Sequence, residues 1–427
     1  MSSSASAAKA IRPFADPNFD AFAEWERSIC MVEVENPYPR LAELREQAAV
    51  HAQDVRELFG LPPIAAWQDV PTYTILGYDE ALEVLERPDI FSNSILAELY
   101  ANGFGANNLH AMDPPTHTMY RRIFQKAFLP KYIQAWRDEL LPSIIEHFID
   151  GFAGDGHAEL IEQFCKKFPF HFVFGLLDLP REDQQTFHEL AISLIATANL
   201  GMMAEASRSL GEYLLGLLQA RRANPGKDLI SILGQVEVDG LYIPDDIIVS
   251  FLRQLLTAGG GTTFHATGTM LVGILRNRET QWEALRADRS LIPAAVEEAL
   301  RWDSPSMTVM RCAMENTSVG GVAIQKGARI VILVSAINRK PFADSPGEND
   351  FDIHRQGLRE KQLNLAFSHG PHICIGRHLA QMEMGIALNT LLDRFPDMRA
   401  DPDYPPPVVR GLITRTPSEL YVVFDPS

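Results

Sequence analysis

The segment from Pro244 to about Arg276 constrains this chain more than any other. Pro244 followed by Asp245 and Asp246 is a strong helix-start signal, a proline in the first turn and then acids that suit the positive end of the helix dipole. Apolar residues then recur at helical spacing for about thirty residues. In the middle stands Ala258-Gly-Gly-Gly-Thr-Thr263. Each glycine costs roughly 1 kcal/mol against alanine in a helix interior, so three together need a local reason. Ala258, Thr262 and Ala266 share one face at i, i+4 spacing. Small residues with a hydroxyl would let a flat ligand approach the backbone; a glycine-kinked core helix is the alternative, and this segment alone leaves both open.

Amphipathic periodicity dominates from about Asp138 to Arg301, as in Glu139-Leu-Leu-Pro-Ser-Ile-Ile-Glu-His-Phe-Ile and in the run that starts at Leu210. Strand-like runs are short: Thr72-Tyr-Thr-Ile-Leu, Ala328-Arg-Ile-Val-Ile-Leu-Val and Leu420-Tyr-Val-Val-Phe. Long central helices with small flanking sheets make a mainly α (α+β) chain. The 427 residues contain no Ser/Gly-rich or charge-block linker and no regular repeat. Residues 1–20 are therefore expected to be a disordered N-terminal segment, and 21–427 a single large domain.

With 46% apolar and 22% charged residues the chain can bury a large core. A net charge of −17 argues against nucleic acid as the main partner, because phosphate-binding surfaces need clustered Lys and Arg. No apolar stretch approaches eighteen residues and no basic-then-apolar leader opens the sequence, so a cytoplasmic protein without a membrane anchor is expected. The four cysteines, Cys30, Cys165, Cys312 and Cys374, are scattered without a Cys-x-x-Cys, which points to a reducing compartment.

Cys374 lies in Phe367-Ser-His-Gly-Pro-His-Ile-Cys-Ile-Gly376, directly before the helical run Arg377-His-Leu-Ala-Gln-Met-Glu-Met. Gly370 and Gly376 permit tight turns, and the first amides of the following helix have no intrahelical partners, so they can stabilise a thiolate. One thiolate is too few for an iron–sulfur cluster but can be the axial ligand of a haem iron. This segment resembles the cysteine-ligand loop of the cytochrome P450 superfamily, Phe-x-x-Gly-x-x-x-Cys-x-Gly. Phe367, Gly370, Cys374 and Gly376 fall in register, and Ser368 replaces the usual glycine after the Phe.

The resemblance implies the cytochrome P450 fold, with the long central helix over haem b and small β-sheets around it. Ala258, Gly259, Thr262 and Thr263 match the family's Ala/Gly-Gly-x-Asp/Glu-Thr-Thr/Ser, with Gly261 where the acid stands. Thr262 would handle dioxygen and protons, while Gly261 puts the usual acid–alcohol relay in doubt; water or His265 could substitute. Glu298-Ala-Leu-Arg301 matches the Glu-x-x-Arg signature, a buried structural pair, with Arg355 or His369 as its third partner. His117, Arg121, Arg311 and His372 match propionate-binding positions, with Asp113 read as the N-cap and Pro114 as the first residue of the helix bearing the first two. Phe367 would shield the sulfur.

The implied activity is a bacterial-type monooxygenation: one atom of dioxygen enters a small apolar substrate. Electrons would come from a separate ferredoxin and ferredoxin reductase, steered by Arg121, Arg122, Lys126 and Lys131. Candidate pocket walls are Leu96, Leu99, Phe104, Leu200, Met202, Met203, Met307, Val309, Leu412 and Ile413, apolar side chains that core packing would explain equally well. Two alternatives arise from Gly261, a peroxide-using enzyme and a non-catalytic haem-thiolate sensor. A third, zinc held by His369, His372 and Cys374, leaves the other matches unexplained.

Overall fold

The start signal at Pro244 is used as read. In the computed structural model a helix runs Asp245–Arg276, thirty-two residues with both acids in its first turn. The structure describes residues 34–62, 67–180, 183–195, 200–339, 347–358 and 364–426. The expected N-terminal disorder falls outside them. The chain is mainly helical with small sheets, and it divides into two compact units. One comprises Met1–Ile29, Leu96–Ile144 and Lys166–Gly261; the other comprises Cys30–Ile95, Ile145–Cys165 and Thr262–Ser427.

In the first unit the reason for two of the three central glycines is visible. Helix Phe168–Leu176 is apolar nearly all round and buries Phe168, Phe170, Phe172, Val173, Phe174 and Leu176. A Cβ on Gly259 would lie 2.8 Å from a Val173 methyl, and one on Gly260 would lie 2.5 Å from the Phe170 ring. Both glycines let a neighbouring helix approach the backbone, so the core-packing alternative holds for them. His188, from helix Gln184–Ser193, sits with its ring 4.1 Å from that of Phe170. Burial, then the positive charges of His171 and Lys166, pulls its pKa down to about 3, so it is neutral at physiological pH.

The second unit holds the main sheet, with spatial order Val50–His51, Thr72–Ile75, Arg329–Leu333, Thr308–Ala313 and Phe91–Ser92. Thr72–Ile75 and Arg329–Leu333 pair in parallel, Arg329 opposite Thr72; the other pairings are antiparallel. Every residue of the central strand Arg329–Leu333 is buried, Ile330 to Leu333 as an apolar run and Arg329 against the Asp54 carboxylate. Tyr421–Val423 forms the middle strand of a second sheet, between Arg399–Ala400 and His157–Glu159. All three strand-like runs read from the sequence are therefore strands. Helix Arg377–Arg394 follows the Cys374 loop and packs on helix Ile292–Trp302.

Candidate active site

Cys374 is exposed at the end of a loop held by its own backbone. The Cys374 N–H donates to the Phe367 carbonyl at 2.9 Å, Ile373 to Gly370 at 3.1 Å, and Ser368 to Leu365 at 2.8 Å. Gly370 has φ +71, and a Cβ there would meet the Leu85 carbonyl oxygen at 2.5 Å, so both conformation and space demand glycine. Ser368, at the place where the motif carries glycine, has φ +64, left-handed backbone that costs a side-chain-bearing residue about 1 kcal/mol or more. Its hydroxyl is buried with no hydrogen-bond partner among the described residues. Gly376 caps the 18-residue helix that follows, and Phe367 is half-buried.

Behind this loop, helix Ile292–Trp302 brings Glu298 and Arg301 to one face. Arg301 donates from Nε and Nη2 to the two Glu298 oxygens at 2.7 and 2.8 Å, and both side chains are fully buried. Arg355 Nε lies 3.1 and 3.2 Å from the same oxygens, and the Asp352 N–H adds a bond of 2.9 Å. The guanidiniums spend other donors on the carbonyls of Glu348, Asp350 and Gly347. Of the two third partners left open by the sequence, the structure selects Arg355. His369 instead faces Glu86 at 3.0 Å.

On the long helix, Ala258 and Thr262 are exposed, whereas Gly260, Gly261, Thr263 and His265 are buried. Ala266 is also buried, so the open small-residue face covers Ala258 and Thr262 and closes one turn later than they stand. The His265 ring packs 4.1 Å from that of Phe264. In the first unit His117 is buried and Arg121 half-buried on helix Thr116–Phe124. That helix starts two residues later than expected, with Pro115 at the cap position rather than Asp113. Pro114 precedes another proline, which disfavours helical backbone there; Asp113 still contributes its carbonyl, accepting the His117 N–H at 2.9 Å. In the second unit Arg311 is buried on strand Thr308–Ala313 with Nη1 on the Met310 carbonyl at 2.8 Å, and His372 is half-buried two residues before Cys374.

The pocket-wall expectations divide. Met307 and Leu412 are 0% exposed in one core cluster with Leu41, Leu44, Val331 and Leu333. Leu96, Phe104 and Met203 are also buried. Val309 and Ile413 are half-buried. The side chains of Leu99 and Leu200 lie outside the described residues. No group of three His, Cys, Asp or Glu side chains among the described residues could hold a metal, which counts against the zinc alternative.

Sequence reasoning missed two features of the second unit. Asp303 accepts from one edge of the Arg415 guanidinium, Nε at 2.8 Å and Nη2 at 3.0 Å, and also from the Tyr38 hydroxyl. The Arg339 guanidinium lies 3.4 Å from the centre of the Tyr38 ring. Burial, then the Asp303 carboxylate, pushes the Tyr38 phenol up to about 12. Separately, Glu383 is buried on helix Arg377–Arg394 with no hydrogen-bond partner for Oε2 among the described residues, and burial raises its pKa well above the usual carboxyl range.

A haem needs one soft axial donor and cations for two carboxylates. The chemistry present fits those needs. The thiol is exposed before an 18-residue helix, Arg311 and His372 belong to the same unit as the thiol, and His117 and Arg121 share a helix. An exposed alanine and threonine in the middle of the longest helix are compatible with a flat ligand.

The family model described as Cytochrome P450 matches residues 192–424. The chain is 30% identical to "Pulcherriminic acid synthase" of Bacillus subtilis (strain 168) over 91% of its own length and 95% of that protein. It is 29% identical to "Cytochrome P450 monooxygenase PikC" of Streptomyces venezuelae over 88% and 89% of the two chains. Among solved structures, CYP109E1 of Bacillus megaterium in complex with testosterone superposes with a TM-score of 0.78 at 26% identity, covering 91% of this chain and 99% of that one. P450BioI in complex with an acyl carrier protein ligated to hexadec-9Z-enoic acid gives 0.76 at 26%, covering 91% and 98%. No helix among the described residues is long and apolar enough to cross a membrane. The chain belongs to the cytochrome P450 family and is a haem-dependent oxidoreductase of the monooxygenase class.

Proposed function

We propose that this enzyme carries haem b and inserts one atom of dioxygen into a small apolar substrate, with electrons supplied by a separate ferredoxin and its reductase. The observation that carries the reading is the exposed thiol of Cys374 just before an 18-residue helix. Cys374 would be the axial ligand of the iron, and His117, Arg121, Arg311 and His372 the cations for the propionates. When bound, the haem supplies the oxygen-activating chemistry, and the protein's part is to position and to move protons. The decisive experiment is the Soret band of the reduced protein under carbon monoxide. A red-displaced band that disappears in Cys374→Ala is expected, and pigment unaffected by that substitution would overturn the reading.

Thr262 would hold and pass protons toward the reacting oxygen through its hydroxyl. With glycine at position 261 no carboxylate stands beside it, and a bridging water would complete the relay. Installing Gly261→Asp should raise the fraction of electrons that reach product if proton supply limits turnover; an unchanged or lower fraction would refute that limit. The peroxide-using alternative would be favoured by turnover with peroxide exceeding turnover with a reductase chain. The sensor alternative is not favoured, because the relatives named above are a synthase and a monooxygenase.

An apolar substrate is supported by the half-buried Val309 and Ile413, and by the testosterone and the hexadec-9Z-enoic acid carried in the two similar structures. For the redox partner, Lys126 and Lys131 are exposed cations, while Arg122 shares its charge with Asp239 in an exposed pair. Lys126→Glu should slow reduction in a salt-dependent manner without altering haem content. Unchanged electron transfer would remove the patch from the proposal.

A further inference from the structure

Segment 409–415 has a support built into it that the activity alone does not require. Gly411 stands at φ +105, open to glycine, and its N–H donates to the Val34 carbonyl at 2.9 Å. The segment is tied to residues 305–307: the Arg415 N–H donates to Pro305 and the Met307 N–H to Ile413, each at 2.9 Å, and Thr414 bridges Ser306. The buried Arg415 guanidinium then closes the loop from inside. Beyond the Asp303 carboxylate it reaches the carbonyls of Gly411 at 2.7 Å, Val409 at 2.8 Å and Glu35 at 3.0 Å.

A guanidinium is a rigid planar fork, so acceptors placed around it are held in one fixed geometry. Here that fork fixes both ends of the turn 409–411 relative to Asp303, and Asp303 is itself held by Tyr38. The Leu412 side chain is fully buried in the core, and Ile413 packs against the same cluster with part of its surface open, so Ile413 is the side chain of this turn that the clamp can present. Val309, also half-buried, follows the cross-linked residues 305–307 by two positions.

We propose that Arg415, held by Asp303 and Tyr38, is a positioning residue that sets the shape of the substrate pocket through Ile413 and Val309. This rests on the reading, given under the proposed function, that those two side chains face substrate. The test uses the holoenzyme and two probes, imidazole and 4-phenylimidazole, which ligate iron through the same ring and differ by a phenyl group. Their Kd values are read from the spectral titration of the haem. Arg415→Lys keeps the charge and loses the fork. It should weaken 4-phenylimidazole roughly tenfold, about 1.4 kcal/mol, and leave imidazole and haem content unchanged. Tyr38→Phe keeps the Arg415–Asp303 pair and should give a shift of about threefold in the same direction, which covers the case in which Arg415→Lys fails to fold. Equal changes for the two probes, or a lowered melting temperature with the ratio of the two Kd values unmoved, would show a merely structural role and overturn the proposal. A wild-type protein that binds neither probe would overturn the haem-site reading beneath it.

Discussion

Glu298 with Arg301 and Arg355, and Asp303 with Arg415 and Tyr38, bury the same kind of charge within five positions of each other in the chain, yet they are built in opposite ways. The first is centred on a carboxylate that two guanidiniums and a backbone N–H share. The second is centred on a guanidinium whose donors reach one carboxylate and three carbonyls. Removing the central acid of the first leaves two guanidiniums without a counterion, each still holding two carbonyl acceptors. Removing Asp303 leaves Arg415 with three carbonyl acceptors. The difference teaches that the cost of removing a buried acid depends on how many cations it leaves without a counterion, two in the first network and one in the second.

That asymmetry orders the expected effects. Glu298→Gln should be the most damaging, at about 3–5 kcal/mol of stability with loss of haem retention, measured by denaturant unfolding and by pigment per protein. Asp303→Asn should cost less, about 2 kcal/mol, because one guanidinium rather than two loses its counterion, although the bond from Tyr38 weakens as well. If the two variants lose equal stability, the distinction between the two centres is wrong.

Tyr38→Phe should cost about 1 kcal/mol at neutral pH and sharpens the comparison through its pH dependence. The folded phenol keeps its proton to about 12, while the unfolded chain releases it near 10. Between those values the folded state binds more protons than the unfolded one. The stability that Tyr38 contributes is therefore complete below about pH 10 and is lost as pH rises toward about 12. Wild type should consequently outlast Tyr38→Phe at about pH 9 and lose that lead by about pH 12 in paired unfolding curves; a lead that persists would mean that the hydroxyl is not held by Asp303.

Ser368→Gly, outside both networks, should give the smallest effect, a gain of about 0.5 kcal/mol. Relief of the left-handed backbone exceeds the extra entropy glycine loses on folding. A loss of stability would mean that the buried serine hydroxyl makes a bond after all.

The two networks also mark what could be read in advance. Glu298 and Arg301 lie three residues apart on one helix, so spacing alone put them face to face. Asp303 and Arg415 are separated by 112 residues, and Tyr38 by 265 from Asp303. No local pattern encodes such pairings, and a single sequence carries no other signal for them. The Cys374 loop, the long helix and the three strands were legible because each is a local arrangement of turn residues, caps or periodicity. The glycines at 259 and 260 were not, since their reason is Val173 and Phe170 on another helix. For Met307 and Leu412 the sequence left wall and core equally open, because an apolar side chain looks the same in either. The start of helix Thr116–Phe124 was misplaced by two residues because one Pro-Pro step was weighed as a helix start.

The long separation within the Asp303 network bears on how the polypeptide matures. A ribosome adding about 5–20 residues per second delivers the Arg415 side chain several seconds after Asp303, and later still after Tyr38. Tyr421–Val423, the middle strand of its sheet, emerges later again. Until then a nascent second unit would carry an acid without its counterion and two strands without the one that joins them. Chaperone capture and proteolytic triage would both act on that interval, so codon choice or slowed synthesis over residues 303–423 is a lever on yield that leaves the finished enzyme untouched.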